Sequence, residues 1–72
     1  MFYFLNKNVK FLRNSKGFTQ KELADMLSIK KHALANFEGG TRNTSLEVLD
    51  KLHSIFNISL DDLIYKDLSK QD

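Results

Sequence analysis

The 72-residue chain has no cysteine, which excludes disulfides, thiolate metal sites and thiol nucleophiles together and fits a reducing cytoplasm. His32 and His53 are the only histidines and cannot make a metal site between them, so neither a metal nor any other cofactor is expected. There is no proline, no repeat and no low-complexity stretch, and glycine occurs only at positions 17, 39 and 40, where it punctuates the chain. No apolar run approaches the roughly 18 residues needed to span a bilayer. The opening Met1-Phe2-Tyr3-Phe4-Leu5 is too short for a signal core, has no basic segment before it and leads to no small-residue cleavage site. The expectation is a soluble, cytoplasmic chain without a membrane partner. A Gly-rich phosphate loop and a convergent set of histidine and carboxylates are also missing, and one small domain leaves little room for a catalytic pocket, so no enzyme is expected.

What the chain has is apolar area and an uneven charge. Hydrophobic residues make up 42% of it, enough for a helical core. The net charge is only +2, yet residues 1–42 carry a balance of +5 and residues 43–72 a balance of −3. Clustered Lys and Arg bind polyanions by releasing condensed counterions, so the first half is the half suited to a nucleic acid.

Hydrophobic spacing divides the chain into helices, with no strand expected beyond the first few residues. Leu5, Val9 and Leu12 recur at helical spacing and Gly17 ends the pattern, which predicts a first helix from about Phe4 to Ser15. Thr19 with Glu22 three residues later forms a capping box that opens a second helix, buried through Leu23, Ala24 and Leu27. After the turn Ser28-Ile29, a third helix runs from about Lys30 to Phe37 or Glu38, with Leu34 and Phe37 inward and Gly39-Gly40 closing it. Thr44 or Ser45 caps a fourth helix to about Phe56, its buried stripe being Leu46, Leu49, Leu52 and Phe56. Ser59 with Asp62 starts a short fifth helix through Leu60, Leu63 and Ile64. Residues 1–66 then form a single domain, and residues 67–72 a frayed tail.

Two short amphipathic helices joined by a tight turn, between Thr19 and Arg42, make a helix-turn-helix pattern. The residues Lys16-Gly17-Phe18-Thr19-Gln20, Glu22-Leu23-Ala24, Phe37-Glu38-Gly39-Gly40-Thr41-Arg42, Ser45-Leu46-Glu47 and Phe56 to Leu63 follow one another as they do in the Cro and phage-repressor type of domain. The chain resembles that family from about Val9 to Ile64. The resemblance implies an all-α, compact five-helix bundle of the lambda-repressor-like type with a central helix-turn-helix. It also departs from the family: Ser28 stands where Gly is usual at the turn, and Lys30 where a Ser or Thr cap is usual.

The resemblance further implies a sequence-specific regulator of transcription, a repressor of phage, mobile-element or antitoxin-like kind, that binds double-stranded DNA at an inverted repeat as a homodimer. The third helix would enter the major groove, where Lys31 can donate to guanine, Asn36 can pair with adenine, and His32 can donate or accept according to its tautomer. Lys30 joins these base-reading candidates. Thr19, Gln20 and Lys21 at the start of the second helix, with Arg42 and Asn43 after the third, are the candidates for gripping phosphates. Lys10, Arg13 and Lys16, three residues apart on the first helix, either extend that footprint or form a solvated stripe. Phe2, Tyr3, Phe4 and Phe11 exceed what such a small core takes; they read first as an extension of it, and second as a surface for self-association or a protein partner. A protein-interaction module on the same fold is accordingly the alternative function.

Overall fold

A computed structural model describes residues 3–70. Met1, Phe2, Gln71 and Asp72 lie outside the described residues, and with them part of the apolar opening and the end of the expected tail. Five helices follow in order: α1 (Leu5–Ser15), α2 (Gln20–Leu27), α3 (Lys31–Glu38), α4 (Leu46–Phe56) and α5 (Leu60–Tyr65). A single 3-10 turn, Leu68–Lys70, comes after them. No strand occurs among the described residues.

Local signals set most of the boundaries. The capping box forms in full, with Thr19 Oγ1 accepting from the Glu22 N–H at 3.0 Å and Glu22 Oε1 accepting from the Thr19 N–H at 2.8 Å. Ser45, rather than Thr44, caps α4 by accepting from the Val48 N–H, and Ser59 does the same for α5 with the Asp62 N–H. Gly40 takes the left-handed backbone after α3 (φ 85°), while Gly39 stays right-handed; the Thr41 N–H then reaches back to the Asn36 carbonyl. Phe4 is the residue before α1 rather than its first, and its N–H donates to the Ile64 carbonyl, joining the start of α1 to the end of α5.

The helices enclose one core, in which Leu5, Leu23, Leu34, Phe37, Leu52 and Leu63 are almost wholly buried. Two apolar expectations do not hold. Leu46, placed on the buried stripe of α4 by its spacing, is 82% exposed, and Val48 takes the inward position in the first turn instead. Tyr3, Phe4 and Phe11 stay substantially exposed instead of extending the core, and Tyr3 packs against Tyr65 with the rings tilted and their centroids 4.9 Å apart.

The expectation of a tail fraying directly after Lys66 is also corrected for residues 67–70. Asn8 is wholly buried on α1, and its amide donates to the Leu63 and Lys66 carbonyls while its oxygen accepts from the Leu68 N–H. A buried amide must satisfy its donors and its acceptor, and here the backbone of α5 and of the chain just after it supplies all three partners. Leu68 is buried beside it, and Lys7 pairs with Asp67 at 3.0 Å. The Ser69 hydroxyl, and after it Lys7, hold the Asp67 carboxyl below the usual carboxylate range.

Between α2 and α3 the turn rests on Ser28, which is left-handed (φ 59°, ψ 39°). That conformation costs an L residue about 1–2 kcal/mol, part of which glycine would give back in the unfolded chain. Ser28→Gly should therefore raise stability by about 1 kcal/mol and the melting temperature by about 4–8 °C. Thermal denaturation checks this, and no rise would mean that the turn is unstrained.

Candidate nucleic-acid interface

The helix-turn-helix holds its outer face open. Lys30, Lys31, His32 and Asn36 are all exposed, with Ala33 and Ala35 half-buried between them and Leu34 and Phe37 buried behind. Lys30 is extended and gives α3 no side-chain cap, so the free N–H groups of the first turn face outward together with two lysines. An anionic partner is favoured there on both counts.

The other end of α3 is tightly held. Arg13 Nε donates to Glu38 Oε2 at 2.8 Å and Nη2 to Glu38 Oε1 at 3.2 Å, while Nη1 donates to the Phe18 carbonyl at 2.9 Å. The two side chains are only 10% and 2% exposed. Asn6 adds a donation to the Phe37 carbonyl at 2.6 Å. Arg13 therefore does not belong to an outward basic stripe: it is spent inside the protein, and only Lys10 and Lys16 of that trio face solvent. Neither charged partner was recognised from spacing, although a signal existed. Arg13 lies four residues after Val9 and Glu38 four after Leu34, so each continues the core-facing row of its own helix, and opposite charges in such rows have to meet.

Gln20 belongs to the same cluster. Its Nε2 donates to Glu38 Oε1 at 3.1 Å, which leaves its carbonyl oxygen and second N–H without a partner among the described residues. Thr19 is engaged in the capping box through its oxygen, and its hydroxyl proton is not used there. Lys21 pairs with Asp25 across one turn of α2 at 3.0 Å, with both side chains well exposed, a contact weak enough to exchange for another anion. Arg42 and Asn43 are exposed on the segment between α3 and α4. Behind them a shallow cavity of about 160 Å³ opens between that segment and Ala33 and Phe37 of α3.

The Helix-turn-helix family model matches residues 9–63, three quarters of the chain. The chain belongs to the Cro-type helix-turn-helix family. Its members are DNA-binding regulators rather than enzymes. The chain is 40% identical over 63 residues to the HTH-type transcriptional regulator ImmR of Bacillus subtilis (strain 168), covering 88% of this chain and 50% of that protein. It is 35% identical to the antitoxin PezA of Streptococcus pneumoniae over 88% of this chain and 40% of that one. It thus spans about half the length, or less, of these curated relatives. Among solved structures, the N-terminal DNA binding domain of SinR from Bacillus subtilis superposes with a TM-score of 0.78 at 24% identity, covering 90% of this chain and 96% of that one. The restriction-modification controller protein C.AhdI from Aeromonas hydrophila gives 0.72 at 29% identity, covering 82% and 89%. The all-α bundle with its central helix-turn-helix is the fold these structures share.

Glu38→Ala would strand the Arg13 guanidinium inside the protein, at a cost of about 3–5 kcal/mol. The double replacement Arg13→Met with Glu38→Leu should lose much less. Urea denaturation of the single and double variants checks the coupling, and additive losses would show that the pair is not one unit.

Proposed function

We propose that this chain is a sequence-specific double-stranded DNA-binding transcriptional regulator, a repressor of phage, mobile-element or antitoxin-like kind, acting in the cytoplasm as a homodimer on an inverted repeat. The observation that carries the reading is the asymmetry of α3: its C-terminal turn is anchored by Arg13, Glu38 and Asn6, while at its N-terminal end Lys30, Lys31 and His32 are exposed. A helix held at one end and bare at the other suits insertion into a major groove, where the base-reading side chains lie near the N-terminus.

In that pose Lys30, Lys31, His32 and Asn36 reach base edges, and Ala33 and Ala35 offer only methyl groups, which suit thymine. Gln20, with one amide proton and its oxygen unpaired among the described residues, contacts a phosphate at the start of α2 while Glu38 holds its orientation. Thr19, Lys21, Arg42 and Asn43 complete the grip on the strands and set the register without reading sequence. The similarity to the antitoxin PezA supports the antitoxin-like part of this reading. The alternative, an interaction module with little affinity for DNA, draws on the exposed Tyr3 and Tyr65.

Selection of bound duplexes from a random pool tests the reading directly: recovery of a repeated half-site supports it. A well-folded sample that retains no duplex at low salt leaves the interaction module in its place. Asn36→Ala should cost about 1–3 kcal/mol on the selected site and spare random duplex, as titration on both will report. Arg42→Ala should weaken every duplex alike and lower the slope of log affinity against log salt by about 1. An unchanged slope would remove Arg42 from the phosphate grip.

A further inference from the structure

The chain after α5 turns back onto α1 and is bound there by a side chain that the DNA interface does not use. Asn8 is wholly buried and its amide serves this one contact: Nδ2 donates to the Leu63 carbonyl at 2.7 Å and to the Lys66 carbonyl, and Oδ1 accepts from the Leu68 N–H at 3.0 Å. Leu68 itself is buried. At the start of α1 the Phe4 N–H donates to the Ile64 carbonyl at 2.9 Å, and one turn on Lys7 pairs with Asp67.

On another side of the same helix, Asn6 reaches the end of α3. Its Nδ2 donates to the Phe37 carbonyl at 2.6 Å, and that carbonyl also accepts from the Gly40 N–H at 3.1 Å. One oxygen thus joins α1 to the turn that closes α3. Asn6 and Asn8 are separated by about 3 Å along the helix axis and about 200° around it, so the first two turns of α1 are held between the returning chain and that turn. Hydrogen bonds weaken steeply when misaligned, and a shift of α1 that changes one contact changes the other. The turn, Gly39 to Thr41, leads directly into Arg42 and Asn43.

We propose that residues 67–70 act as a strap whose seating on α1 sets the order of the turn after α3, and through it the placement of Arg42 and Asn43 and the affinity for duplex DNA. The inference rests on the reading of that segment as a phosphate grip and names a means of regulating it. Ordering and release of a short segment is a common switching element. With the strap seated, Asn8 holds α1 where Asn6 meets Phe37. With it released, the Leu63 and Lys66 carbonyls turn to water and Asn8 is left buried without partners, a state that α1 relieves by shifting its first turns outward. Asn6 then leaves Phe37, and the Gly40 turn loosens. Arg13 and Glu38 keep α3 itself in place, so the change is confined to the loop that follows it.

The first arm of the test is amide exchange of the full chain by NMR, without DNA. Leu68→Ser removes the apolar anchor of the strap and Asn8→Ala the polar one. Either is expected to raise exchange of the Gly40 and Thr41 amides at least about ten-fold relative to the Ser28 and Ile29 amides, which close α2 in the same way. The side-chain amide signals of Asn6 should shift with them. Leu68 lies outside the main core cluster, so Leu68→Ser decides the matter if Asn8→Ala does not fold. Ile55→Ala, on a helix that packs mainly on α2 and α5, supplies a general loss of stability and should change both pairs of amides alike. In the second arm the strap variants should bind random duplex at low salt about ten-fold more weakly than the parent, and Ile55→Ala as tightly as the parent. The proposal is overturned if Gly40 and Thr41 respond no more to Leu68→Ser than to Ile55→Ala, or if the strap variants bind duplex as tightly as the parent. A parent that retains no duplex removes the reading of the phosphate grip instead, and the exchange arm still decides whether strap and turn are coupled.

Discussion

The buried pair of Arg13 and Glu38 is the constraint around which the helix-turn-helix is arranged. Two charges so far from water would be a liability singly, and they are tolerated only because the guanidinium meets the carboxylate through two nitrogens and gives its third to the Phe18 carbonyl. This geometry ties three places together: the last turn of α1, the chain entering α2 and the last turn of α3. Gln20 adds a fourth strand to the knot by donating to the same carboxylate. A small core made largely of leucines sets how closely helices approach more firmly than it sets their rotation, and directional polar contacts supply what the leucines leave open.

The asymmetry of α3 follows from that knot. Its C-terminal turn is fixed by Glu38, by the Asn6 donation to Phe37 and by the left-handed Gly40, whereas its N-terminal turn has no side-chain cap and leaves Lys31 and His32 exposed. Lys30 is a poor cap in terms of helix stability, and a cation at that place suits an anionic partner better than the helix it begins. Stability and binding are thus divided between the two ends of an eight-residue helix.

Much of the fold was legible from the chain alone, and for local reasons. Capping by Thr19 and Glu22, by Ser45 and by Ser59 depends on residues three apart in sequence, so those helix starts were correctly read. The outward position of His32 and Asn36 was legible in the same way, since both lie opposite Leu34 and Phe37 on a helix whose period is known. What was misread depends on contacts far apart in sequence. Leu46 matched an apolar stripe by spacing yet is 82% exposed; Arg13 matched a basic stripe yet is buried; and residues 67–70 looked frayed because Asn8, which accepts from the Leu68 N–H, is 60 residues away.

The sequence by itself determined the helices, their order, the family and the face of α3 that is turned outward, because each of these follows from spacing over a few residues. Only the tertiary structure decided which charges are spent inside, which aromatic and aliphatic side chains are left in solvent, and where the chain after α5 returns. The physical reason is that burial belongs to neighbours, and the neighbours of Glu38, Asn8 and Leu46 are set by how whole helices pack rather than by the residues beside them in the chain.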